Sequence, residues 1–134
     1  MKVELILLII ILVLIILGLM HNTMGIGINI DRICLRAGYI TPKYTIKSVS
    51  YGETHTVFNT TPTIFLRTTK DNLEQYDNDT VITVLLHEIA HILCPSEGHT
   101  DEFDSIETQL LNSATELGYL DPNHEVDEYY PCRI

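Results

Sequence analysis

The chain is short of cysteine and of positive charge. Among its 134 residues are three cysteines, Cys34, Cys94 and Cys132. An odd number with no CxxC spacing excludes a multi-bridge disulfide framework and a cysteine zinc ribbon, and leaves open one pair in an oxidising compartment. Lys and Arg number 8 against 18 Asp and Glu, for a formal charge of −10. The shortage is uneven: residues 71–134 hold fifteen acidic residues against Arg133 alone, while residues 21–70 hold six Lys and Arg against Asp31 and Glu53. Binding phosphates needs clustered Lys and Arg, so the C-terminal half disfavours direct nucleic-acid binding. An acidic solvated face accounts for that half without any partner.

Charge is also nearly missing from the first twenty residues, "MKVELILLIIILVLIILGLM", where Val3 to Met20 carries only Glu4. A run near 18 apolar residues is the lower end of what crosses roughly 30 Å of hydrocarbon as a helix. Residues 1–20 are therefore expected to form an N-terminal transmembrane helix, making the protein single-pass and membrane-bound through that helix. A cleaved signal peptide is the alternative, but Gly18-Leu19-Met20 is a poor cleavage site. Orientation stays open, because Arg32 and Arg36 favour a cytosolic domain and Lys2 pulls the other way. The sequons at Asn59 and Asn78 would matter only in a lumen.

No repeat or low-complexity tract follows. Residues 21–43 read as a juxtamembrane linker, with Gly25 and Gly27 marking a flexible joint, and residues 44–134 as one small domain. "YTIKSVSY" (44–51) and "THTVFN" (54–59) are rich in β-branched and aromatic residues with Gly52 between them, which suggests a hairpin. "TPTIFLRTT" (61–69) reads as a further strand. A polar loop, 71–80, should end at a helix capped by Thr80 or Asp79. The helix itself, "VITVLLHEIAHIL", is apolar almost all round and so belongs in the core; Pro95 stops it. A second helix should begin at Thr100 or Asp101, bury Phe103, Ile106, Leu110, Ala114 and Leu117, and stop at Gly118.

Chemistry concentrates in "LLHEIAHILCPSEGHTDEF" (85–103). His87 and His91 are four apart on the first of these helices, so both imidazoles leave one face about 6 Å apart along the axis. Glu88 stands between them. This is the HExxH pattern, in which two histidines bind zinc and the glutamate, as catalytic general base, takes a proton from zinc-bound water. Two imidazoles and a carboxylate in an apolar helix carry a desolvation cost that a shared metal offsets. A catalytic zinc takes three protein ligands, and His99, beyond the Pro95 turn and beside Gly98, is the third expected here.

Glu97, Glu107, His124 and Cys94 are the other possible ligands, and Asp101 or Asp104 could orient a ligating imidazole. The spacing HExxHxxGxxH is not met, because its glycine and histidine positions hold Cys94 and Glu97. Tyr119, Tyr129 and Tyr130 could each donate to a tetrahedral intermediate. His21 and His55 lie apart from the cluster and receive no role.

With these residues in view, "FLRTTKDNLEQYDNDTVITVLLHEIAHILCPSEGHTDEFDSIETQLLNSATELGYL" resembles the WLM and SprT-like group of small zinc metallopeptidases, in particular the compact WLM-type proteins of large DNA viruses. The likeness covers about residues 54 to 132. It implies an α+β, zincin-like fold, with a small curved sheet packed on the HExxH helix and a second helix behind. It also implies zinc held by His87, His91 and His99, Glu88 as general base, and a protein or peptide substrate. For a viral chain the membrane would be that of host or virion. The expectation is a membrane-anchored zinc metallopeptidase. The alternative is a catalytically silent, zinc-binding, membrane-tethered module for protein interaction.

Overall fold

In the computed structural model, residues 2–22 and 28–126 are described, with the side chains of the first helix described through Leu17. The elements run α1 (Lys2–Asn22), α2 (Ile30–Ala37), β1 (Thr45–Val49), β2 (His55–Val57), β3 (Thr63–Arg67), α3 (Asn78–Leu93) and α4 (Asp101–Glu116). Among the described residues the fold is α+β, with four helices and a small three-stranded sheet.

Helix α3 is the centre of the domain. Its Leu85, Leu86, Ile89 and Ala90 are fully buried, because the sheet covers one side of the helix and α4 the other. Helix α2 packs in turn on α4. This stacking explains why "VITVLLHEIAHIL" has almost no polar face: an element covered from two sides has little use for one. Asp77 caps α3 by accepting from the Thr80 backbone N–H, so the helix begins three residues earlier than a Thr80 cap would allow. At the other end Cys94 is extended (ψ 123°), the geometry forced on a residue that precedes proline.

The strand order is β1-β3-β2, with β3 parallel to β1 and antiparallel to β2. The expected hairpin between the first two strands is therefore corrected: they do not pair with each other. β3 takes the place between them because it is the most apolar of the three, presenting buried Ile64 and Leu66 to α3. A central strand is the one that can bury its apolar side chains most completely. β1 and β2, more polar, fall to the edges, where Lys47 of β1 lies over the Phe65 ring.

Two further expectations change. The stretch 21–43, read as a linker, contains α2. Asn29 caps it through the Arg32 N–H, Ile33 and Cys34 are fully buried, and Gly38 ends it in the left-handed conformation at φ 91°. Residues 23–27, with the glycines of the expected joint, lie outside the described residues.

The second correction concerns the N-terminal segment. α1 is helical over Lys2–Asn22. Among the described residues no helix is long and apolar enough to cross a membrane. That finding overturns the expected transmembrane helix and, with it, the single-pass membrane location. The apolar side chains of α1 from Val3 to Leu17 are exposed, and α1 packs against no other described element.

Candidate metal centre

The local sequence after α3 brings the third histidine back to the first two. Pro95 ends the helix, Gly98 turns the chain at φ 76°, and Thr100 caps α4 by accepting from the Phe103 N–H. The turn between is held by its own side chains. Cys94 Sγ lies 3.1 Å from Ser96 Oγ, which in turn is 2.8 Å from Thr100 Oγ1. His99, the residue just before the cap, is thereby carried over the last turns of α3.

The result is a triangle of nitrogens. The Nε2 atoms of His87, His91 and His99 are each 3.2 Å from the other two. Three imidazole nitrogens converging on one point compete for the same few hydrogens, whereas a cation satisfies all three lone pairs at once. The spacing also fits the donor set: bonds of 2.0–2.1 Å at tetrahedral angles put ligand atoms roughly 3.3–3.4 Å apart. Among the described residues these three form the only group of potential ligands drawn together in this way.

Two neighbours set the imidazoles. Glu107 of α4 accepts from His87 Nδ1, which fixes the tautomer that leaves the Nε2 lone pair to face the triangle. Phe103, 1% exposed, lies beneath, stacked on His91 at 4.3 Å and on His99 at 4.7 Å, with its edge relation to His87 at 5.0 Å. Burial, together with the neighbouring His87 and His99, pushes the pKa of His91 down from 6.5 to about 4. At neutral pH His91 is thus in the uncharged form a metal requires.

Glu88 is 1% exposed, and its carboxylate accepts a hydrogen bond from the Thr56 hydroxyl of β2. It borders a cleft of about 540 Å³ whose lining also includes His91, His55, Phe58, Ile92 and Pro95. Glu88 and His91 thus share one wall of the same open cleft.

The structure separates the remaining candidates. Glu107 touches His87 from behind, so it is an orienting partner and not a third ligand. His124 sits at the other end of α3, with its Nε2 3.2 Å from Asp77 and its Nδ1 3.9 Å from Asp79. Glu97 is exposed on the cleft wall and Cys94 is buried beside Ser96; neither joins the triangle. Asp101 and Asp104, in the first turn of α4, are exposed. Cys34 and Cys94 are both free thiols, and burial raises the pKa of Cys34. Tyr119 is half-buried beyond the end of α4, while Tyr129, Tyr130 and Cys132 lie outside the described residues. The side chain of His21 is likewise not described.

Thr56 and the orienting role of Glu107 were not singled out from the sequence. Glu107 lies four residues after Phe103 and three before Leu110, on the same face of α4, and that spacing was the available signal. Nothing local marks Thr56, which only the sheet brings to α3.

The fold and site thus define an α+β domain built around an HExxH helix with a three-histidine cluster. The chain is similar to the uncharacterized protein 042R of Invertebrate iridescent virus 3, at 51% identity over 47 residues, 35% of this chain and 30% of that protein. It is also similar to the uncharacterized protein 136R of Invertebrate iridescent virus 6, at 50% identity over 46 residues, 34% of this chain and 26% of that protein. The matched region is under a third of the length of either relative. No protein-family model matches the chain, and no solved structure matches it.

Proposed function

We propose that the chain is a zinc-dependent metallopeptidase that hydrolyses peptide bonds of protein substrates. The observation that carries this reading is the triangle of His87, His91 and His99 nitrogens, mutually 3.2 Å apart, with the buried Glu88 on the same helix at the cleft. A zinc ion held there would acidify water and polarise a peptide carbonyl. The protein's own part is to hold three imidazoles in register through Glu107 and Phe103, to receive a proton on the Glu88 carboxylate, and to seat the peptide in the cleft. The resemblance to WLM and SprT-like peptidases supports the same assignment of residues.

A silent zinc module would have no use for a buried carboxylate at the cleft, and structural zinc sites are usually closed by a fourth protein ligand. No fourth side chain joins the cluster among the described residues, so no observation favours that alternative.

Elemental analysis of the full chain, paired with cleavage of an unfolded protein such as labelled casein, tests the proposal. We expect one zinc per chain, cleavage sensitive to chelators, zinc lost in His99→Ala, and zinc kept but cleavage abolished in Glu88→Gln. Unchanged hydrolysis in Glu88→Gln would sink the mechanism, and zinc without hydrolysis in the wild type would favour the silent module.

A further inference from the structure

We infer that Thr56 is a positioning residue for Glu88, its hydroxyl holding the carboxylate in the orientation that serves the cleft. The inference rests on the peptidase reading of the site.

Thr56 and Glu88 are 32 residues apart in sequence and belong to different elements, yet the Thr56 hydroxyl donates to Glu88 Oε2. The donor is held from two directions. Its strand, β2, is registered on β3 by the pairing of Thr56 with Ile64, whose side chain is fully buried. Its side chain is β-branched, so few χ1 values are open to it and the hydroxyl goes where the strand sends it. Glu88, by contrast, reaches its carboxylate through three rotatable bonds. A general base must present its acceptor within hydrogen-bond reach of the proton it takes. The Thr56 hydroxyl sets where one oxygen of the Glu88 carboxylate points.

Position supports a role at the reaction and not only in the core. Both residues line the same cleft, together with His91. A hydroxyl whose sole purpose was to satisfy a buried carboxylate would affect stability when removed and leave the turnover of the folded protein alone. A positioning hydroxyl would lower the turnover of the folded protein as well, so the two are separable by experiment.

The test uses the full chain and four variants: Thr56→Val, which keeps the shape and removes the hydroxyl; Thr56→Ser, which keeps the hydroxyl; Thr56→Ala; and Glu88→Gln. Zinc content, kcat and KM on labelled casein, and the infrared carboxylate band of Glu88, identified by its loss in Glu88→Gln, are measured for each. The inference predicts one zinc per chain and an unchanged KM in Thr56→Val. It predicts a kcat lower by roughly tenfold or more, a share of the ~100- to 10,000-fold that a placed general base contributes, and a shifted carboxylate band. Thr56→Ser should restore both kcat and band. Should Thr56→Val fail to fold, the Ser and Ala variants carry the same comparison, since both lack the methyl and differ in the hydroxyl.

Wild-type kcat and an unmoved band in Thr56→Val, with Glu88→Gln inactive, would overturn the inference and leave the peptidase reading standing. So would a Thr56→Ser protein as impaired as Thr56→Val. A wild type that holds zinc but cleaves nothing would overturn both.

Discussion

In the proposed zinc site, the contact between His87 Nδ1 and the Glu107 carboxylate would set how firmly the ion is held. A carboxylate behind a ligating imidazole fixes its tautomer, stops the ring turning and raises its basicity, and losing such a partner typically costs 10- to 100-fold in metal affinity. Glu107→Gln keeps the shape and an acceptor oxygen but removes the charge. We expect its zinc affinity, measured by competition with a chromophoric chelator, to fall by about tenfold, with the Glu107→Ala protein weaker still; equal affinity in all three would show that Glu107 is a bystander. The three histidines were legible because a four-residue spacing on a helix is a geometric statement in itself. Which acid stood behind them was less so. Asp101 and Asp104 were the natural orienting candidates from sequence, yet both are exposed, and the acid that reaches His87 is Glu107.

At the level of elements, α2 shows how a short helix escapes a reading that looks for long periodic runs. "IDRICLRA" is only eight residues, and it stands in a stretch read as linker. Its signals were nevertheless present: Asn29 at the cap, Ile30, Ile33 and Cys34 at i, i+3 and i+4, and Gly38 after the last turn. The sheet order was hidden for a different reason. A Gly between two β-rich segments suits a hairpin, but nothing local says that a later, more apolar strand will insert between them; that depends on what α3 can cover. Helix α2 is held to α4 by burial and, at the surface, by Arg36–Glu116 at 2.7 Å and Tyr39–Gln109 at 2.6 Å. The exposed ion pair contributes little, so burial dominates. Ile33→Ala should therefore cost about 2–5 kcal/mol, read as a lower denaturant midpoint with an unchanged slope. A loss under about 1 kcal/mol would mean that α2 is peripheral to the fold.

Across the whole molecule, the cluster ties the turn of residues 94–100, which carries His99, to the His87 and His91 face of α3. Zinc bound only by the folded chain would stabilise it by mass action, so stripping it with a chelator should lower the thermal midpoint. The stripped protein should also respond to pH in a defined direction. His91 has a folded pKa of about 4 against an ordinary 6.5, because burial and the flanking His87 and His99 disfavour its charged form. Above about 6.5 it is neutral whether the chain is folded or not, and it adds no pH dependence. As pH falls from 6.5 towards 4 the unfolded chain takes up the proton while the folded chain does not, so stability declines through that window and the decline from His91 is complete below about 4. His91→Gln has no proton to gain. The chelated His91→Gln protein should therefore lose less of its thermal midpoint between pH 7 and pH 4 than the chelated wild type, measured by circular dichroism at 222 nm. Parallel curves for the two proteins would mean that His91 is not held in its neutral form by the fold.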